Sequence, residues 1–203
     1  GAVPKDEALA MGLIMSAVSV LLMWIASNVL AAGLLAFSIV YYGWFYTMVL
    51  KRRTAQNIVI GGAAGAFPPV IGWAVVTGTT PLDAWILFAI IFFWTPPHFW
   101  ALSLFSNEDY KRANIPMMTV TAGSKSTKIQ MMLYTSILVP LTLLPSVLGF
   151  ASATYGAIAA GLGLLFIVSN IRVLMHKDLK HAKIMFGYSV FYLFALFLAL
   201  MIG

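Results

Sequence analysis

Residues 8–50 read ALAMGLIMSAVSVLLMWIASNVLAAGLLAFSIVYYGWFYTMVL, and none of them is charged. A helix needs about 20 apolar residues to cross some 30 Å of hydrocarbon, so this stretch holds two crossings with a turn at Ser27-Asn28. Residues 54–82, 84–107, 129–171 and 184–203 also lack Asp, Glu, Lys and Arg. By length, 129–171 holds two further crossings and the others one each. The spans fall at 8–27, 31–49, 57–76, 83–105, 131–149, 155–174 and 185–202. The runs are continuous, unlike the alternating segments of about 10 residues that build a membrane barrel. The expected fold class is all-α, a polytopic membrane helix bundle. Composition agrees: of 203 residues 62% are hydrophobic and only 9% charged, with a mean hydropathy of +0.95. A soluble domain is about a quarter charged, so a water-soluble enzyme is excluded and no nucleic-acid partner is expected. The surroundings are a lipid bilayer. The chain has no cysteine, which excludes thiol chemistry and disulfides.

The charges orient the bundle. All twelve Lys and Arg residues lie in the N-terminal segment or in the loops after the second, fourth and sixth spans. The alternate connections hold only the acid Asp83. Cytoplasmic loops carry the excess of Lys and Arg, so the N-terminus and these loops are expected in the cytoplasm. Gly1-Ala-Val-Pro is neither an initiator Met nor the start of a signal peptide. It reads as a cut end.

Two cytoplasmic blocks carry more chemistry than topology requires. The first runs from Tyr46 to Pro69, with Lys51-Arg52-Arg53 followed by Thr54, Gln56 and Asn57, then Gly61, Gly62 and Gly65. A basic triplet is also a plain membrane anchor, but amides at the mouth of an apolar helix need partners. Pro68-Pro69 then interrupts the helix, and the lost donors require a neighbour or a lined cavity.

The second block runs from Phe93 to Met117 and includes Trp94-Thr-Pro-Pro-His98 and Glu108-Asp-Tyr-Lys-Arg112. His98 is the one ionisable side chain deep inside a span. It is a functional candidate or a hydrogen-bond partner between helices. His98 and Asp109 are eleven residues apart and share a face if the helix continues. Glu108 and Asp109 suit Mg²⁺, and through it a diphosphate, since hard cations bind carboxylate and phosphate oxygens together. They also suit a self-neutralising loop with Lys111 and Arg112. His176 and His181 read as part of a solvated anchor, with no acid partner for a metal.

Tyr46-Thr…Leu50-Lys-Arg…Thr54…Asn57-Ile-Val-Ile-Gly-Gly…Ala64-Gly-Ala…Pro68-Pro…Gly72-Trp and Trp94-Thr-Pro-Pro-His-Phe-Trp-Ala-Leu…Asp109-Tyr…Ala113-Asn-Ile-Pro-Met resemble the protohaem IX farnesyltransferases, or haem O synthases. These are a branch of the intramembrane aromatic prenyltransferase superfamily. The resemblance covers the whole chain, more weakly after residue 130. It implies a single transmembrane prenyltransferase domain over 1–203, with seven spans present of nine. The first two spans and the first acidic motif would precede Gly1, and the fragment alone would be inactive.

The resemblance further implies transfer of the farnesyl group of farnesyl diphosphate to the vinyl group of haem B, with water addition giving haem O. By motif match, His98, Asp109 and Tyr110 are the catalytic candidates. Lys51, Arg52, Thr54, Asn57 and Lys111 would bind substrate, and Asp109 with Glu108 would hold Mg²⁺. His98 would ligate the haem iron or hydrogen-bond the substrate. Oxidase-assembly proteins are implied as partners. The bacterial inner membrane is the implied location, with the mitochondrial inner membrane as the alternative. A prenyltransferase for another aromatic acceptor, or a small-molecule transporter with broken helices, stays open at this stage.

Overall fold

The computed structural model describes residues 3–202, which form helices joined by turns and short irregular segments, with no strand among them. Seven helical spans are long and apolar enough to cross a membrane. The first is α1 (Lys5–Ala26), whose first turn carries Asp6 and Glu7, the charge sign that a helix N-terminus favours. The second starts as α2 (Val29–Val40) behind Asn28, whose side-chain oxygen accepts from the Ala31 N–H at 2.9 Å. The Asn28 amide also donates to the Ala74 carbonyl at 2.7 Å. The residue marking the turn thus joins two spans.

The third span is interrupted where the prolines foretell it. α3 (Asn57–Ala66) stops before Phe67, and α4 (Pro68–Thr77) starts on the two prolines, whose missing N–H groups cost least in a first turn. Gly78, at φ +70°, ends α4 in the left-handed region. α5 (Leu82–Phe105) follows and contains Pro96 and Pro97. Two short helices, α6 (Asn107–Arg112) and α7 (Met118–Thr121), lie before α8 (Gly123–Val147). α9 (Ala153–Met175) and α10 (Leu179–Ile202) complete the chain.

α5 is the hub, packing against α3, α4, α8 and α10, while α8 and α10 also pack on α9. Lipid is as apolar as a core side chain, so close packing and interhelical hydrogen bonds hold such helices together. A Cβ on Gly163 would come within 2.7 Å of Val139, which shows how near α9 approaches α8. Asn170 on α9 donates to Thr135 on α8 at 2.6 Å, both fully buried. Tyr188 on α10 donates to the Leu162 carbonyl of α9 at 2.7 Å. Interhelical bonds of this kind average about 0.6 kcal/mol each. α1 has no buried residue and leans on α2.

Two expectations need correction. α8 begins at Gly123 and α10 at Leu179, not at 131 and 185. Hydropathy marks where hydrocarbon begins, whereas backbone hydrogen bonding runs on into water: Lys125, Lys128, Lys180 and Lys183 are helical. The helix carrying His98 ends at Phe105, as the span 83–105 anticipated, so the condition for a face shared with Asp109 is not met. Ser106, at φ −109° and ψ 21°, leaves the helical region, so the two residues share no helix face.

Candidate active site

Between Val40 and Asn57 the second span changes its winding. Tyr41–Leu50 is a π-helix, with the Lys51 N–H donating to the Tyr46 carbonyl at 2.8 Å and the Thr47 hydroxyl to the Tyr42 carbonyl at 2.7 Å. Such widened turns are rare and recur at functional sites. Here the buried Tyr46 faces α3, where a Cβ on Gly61 would fall inside its ring. One residue on, a Cβ on Gly62 would come within 2.8 Å of Thr95 Cγ2 on α5. The paired glycines therefore serve two contacts: one admits the Tyr46 ring of the π segment, the other the close approach of α5.

These contacts border a cavity of about 410 Å³. Its walls are Tyr42 and Tyr46 from the π segment, Gly61, Gly62 and Gly65 from α3, and Ile91, Trp94, Thr95 and Phe99 from α5. Lys51, Asn57 and Tyr110 line it with Ile115 and Met117. The two sequence blocks therefore converge. Asn57 donates to the Lys51 carbonyl at 3.2 Å and reaches the Pro116 carbonyl at 3.5 Å. Gln56 donates to Gln130 of α8 at 3.3 Å.

The expected site residues divide. Lys51, Asn57 and Tyr110 line the cavity. Arg52 is exposed on the same loop. Thr54 is used locally, its hydroxyl accepting from the Gln56 N–H at 3.1 Å. Glu108 and Lys111 pair at 2.8 Å, both largely exposed, which is the self-neutralising arrangement. The Lys111 hydrogen bond, then its charge, holds the Glu108 carboxyl below its usual range. Asp109 is exposed and outside that pair. Burial, then the neighbouring Asp109 carboxylate, raises the Tyr110 phenol, so it is a neutral hydrogen-bond donor across the physiological range.

His98 does not line the cavity. It is 8% exposed and lies between the rings of Trp94, at 4.3 Å, and Phe186, at 4.7 Å. Its Nδ1 is 2.7 Å from the Ser189 hydroxyl on α10. That hydroxyl donates its single proton to the Phe186 carbonyl at 2.6 Å, so it must accept from Nδ1–H. Ser189 therefore sets the tautomer of the ring. The Trp94 indole N–H donates to the Ser189 carbonyl at 2.8 Å. His98 and Ser189 together brace Trp94, one wall of the cavity.

Sequence reasoning missed Ser189, because a lone serine in an apolar span carries no signal without its partners. It also missed Tyr46, Gly61 and Gly62 as cavity-shaping residues, although the glycine pair was visible. At the other loop, the reading that denied His181 an acid partner is corrected: Asp178 lies 2.7 Å from its Nδ1, and His176 stacks on it at 4.2 Å. Lys128 donates to the His176 carbonyl at 2.6 Å.

Among the described residues no three His, Asp or Glu side chains converge on a metal position. Mg²⁺ is commonly held by one or two carboxylates with substrate phosphates completing its shell. Asp109 fits that mode as a single protein ligand. Glu108 fits it less well because Lys111 occupies it.

An aromatic pocket with a cationic mouth suits a substrate with a long apolar tail and an anionic head. A model of the UbiA prenyltransferase family matches residues 1–201. The chain belongs to this family. It is 60% identical over 211 residues to the protoheme IX farnesyltransferase of Hyphomonas neptunium, covering 100% of this chain and 66% of that protein. The protein of the same name from Acidiphilium cryptum is 56% identical over 211 residues, covering 100% of this chain and 67% of the relative. That of Rhizobium johnstonii is 52% identical over 206 residues, with 100% and 65% covered. The chain thus spans about two thirds of the length of the curated relatives it matches. No solved structure matches it.

Proposed function

We propose that this chain forms the larger part of a membrane enzyme that transfers the farnesyl group of farnesyl diphosphate to the vinyl group of haem B, water addition then giving haem O. The observation that carries the proposal is the cavity itself, where the two blocks that carry the resemblance form one chamber with aromatic walls and Lys51 among its lining residues.

Lys51 meets the anionic head, and Arg52, exposed on the same loop, draws it in. Positive charge at the leaving oxygen favours breaking of the allylic C–O bond. Asp109 would hold Mg²⁺, which would supply positive charge to offset that of the diphosphate. Tyr110 donates a hydrogen bond as a neutral phenol. The ring faces of Tyr42, Tyr46, Trp94 and Phe99 stabilise the allylic cation while their bulk limits water. The terminal vinyl carbon attacks that cation. His98 works one layer behind, keeping Trp94 in place. Residues 1–203 act as one transmembrane domain with the mouth of the cavity in the cytoplasm of a bacterial inner membrane.

The test uses the complete gene product carrying this chain, purified in detergent and supplied with farnesyl diphosphate, haemin and Mg²⁺. A haem product heavier by one farnesyl group and one water is expected, with Lys51→Ala reducing its rate about a hundredfold. Prenylation of another aromatic acceptor but not of haem would shift the assignment to that acceptor.

A further inference from the structure

Asn57 has no exposed surface and lines the cavity. Its amide nitrogen faces the Lys51 and Pro116 carbonyls at 3.2 and 3.5 Å. The opposite amide orientation would set three oxygens against one another, so chemistry assigns nitrogen and oxygen here. The amide oxygen is then left buried and without a donor. Five buried side-chain polar atoms lack a partner among the described residues, and only this one belongs to a residue that lines the cavity. A buried acceptor without a donor is costly, so the group that satisfies it must bring a proton.

The identity of that group follows from the reactants, on the farnesyl-transfer reading above. Diphosphate oxygens accept hydrogen bonds, as do ionised porphyrin carboxylates, and an isoprenoid chain does neither. Water is the reactant that donates. We propose that Asn57 Oδ1 holds the water molecule added in the reaction.

The step balances. The allylic C–O bond breaks and its electron pair leaves with diphosphate. The vinyl π pair forms the new C–C bond, leaving positive charge on the vinyl carbon attached to the porphyrin. The held water donates one hydrogen to Oδ1 and forms the C–O bond with a lone pair. The other proton leaves to the released diphosphate. Nothing is oxidised or reduced. Without a held water, the same cation loses a proton from the adjacent methylene and gives an alkene lighter by one water.

The experiment compares wild type with Asn57→Leu, which keeps the bulk and removes the acceptor, and with Asn57→Ala, which leaves room but no acceptor. The complete gene product is supplied with farnesyl diphosphate, haemin and Mg²⁺, and the prenylated products are resolved by mass. Wild type should give the hydrated product, and both variants should shift the hydrated-to-alkene ratio at least tenfold towards alkene. The ratio is read on the molecules that turn over, so partial misfolding leaves it interpretable. A lower rate with an unchanged ratio overturns the proposal. So does a raised Mg²⁺ requirement with an unchanged ratio, which would make Asn57 a cation ligand. A wild type that prenylates no haem overturns the farnesyl-transfer reading itself, a separate and distinguishable failure.

Discussion

Glu108 and Asp109 are adjacent in sequence but differ in what they can do. Lys111 neutralises Glu108 at 2.8 Å on an exposed helix, whereas Asp109 is outside that pair. Exposed ion pairs contribute little, so Glu108→Gln should leave the transferase rate within about threefold of wild type. Asp109→Asn should lower it about a hundredfold or more, the scale of a lost electrostatic contact at the leaving group. Steady-state rates of both variants at saturating Mg²⁺ make the comparison, and equal losses would return Glu108 to the site. The pH dependence follows from the sign of the shift. The folded Glu108 carboxyl titrates below its usual range, so the pair is intact above about pH 4.3 and is lost as pH falls through the depressed value. A rate profile between pH 6 and 8 should therefore be the same in wild type and Glu108→Gln. Ser189 makes a different prediction. Ser189→Ala leaves the backbone partner of Trp94 in place but orphans a buried imidazole N–H, at a cost of about 1–3 kcal/mol. Thermal unfolding in detergent should show that loss, and haemin binding followed by its absorption spectrum should be unchanged if His98 does not ligate iron.

At the scale of elements, the spans were legible because two physical signals agree: long uncharged runs and clustered cations. The break at Pro68 was legible for the same kind of reason, since proline acts on its own backbone whatever surrounds it. The π winding of Tyr41–Leu50 was not. Tyr-Tyr-Gly-Trp-Phe-Tyr carries no local preference for a wider helix, and what the winding accompanies is a tertiary contact, Tyr46 against Gly61 across two elements. The end of α5 at Phe105 was legible where the span 83–105 put it, because Ser106 and Asn107 follow the apolar run and such residues favour helix ends over interiors. Three of the expected site residues, Lys51, Asn57 and Tyr110, were readable by motif, yet the brace formed by His98 and Ser189 exists only between α5 and α10. Gly61→Ala tests the contact between the π segment and α3. Its methyl would occupy the space of the Tyr46 ring, so the π segment must move or the ring must swing into the cavity. Overpacking costs about 1–3 kcal/mol, and the apparent KM for farnesyl diphosphate should rise about tenfold. Gly65→Ala is the control, because a Cβ there meets nothing within 4 Å. It should leave stability unchanged, and a matching stability loss in both variants would remove the contact from the argument.

For the whole molecule, charge distribution carries the argument that packing alone leaves open. α5 is buried on nearly every side, whereas α1 is exposed along its length, so the bundle has a dense half around α5, α8, α9 and α10 and a thinner half at α1 and α2. Neither half says which end faces the cytoplasm. The proposed orientation rests on the cations, because Lys51 to Arg53, Lys111 to Lys128 and Arg172 to Lys183 close the same ends of the spans that carry the cavity mouth. The membrane should therefore hold those loops on the side where Lys and Arg are retained. The absence of cysteine makes this directly measurable, since a single introduced thiol is the only reactive one in this chain. Lys180→Cys and Lys125→Cys sit in basic segments, while Thr79→Cys and Ala151→Cys sit in the opposite turns. A membrane-impermeant maleimide added to intact spheroplasts should modify Thr79→Cys and Ala151→Cys and spare the other two. Permeabilising the cells should expose all four. The reverse pattern would invert the bundle, put the cavity mouth on the outer face and overturn the proposed orientation.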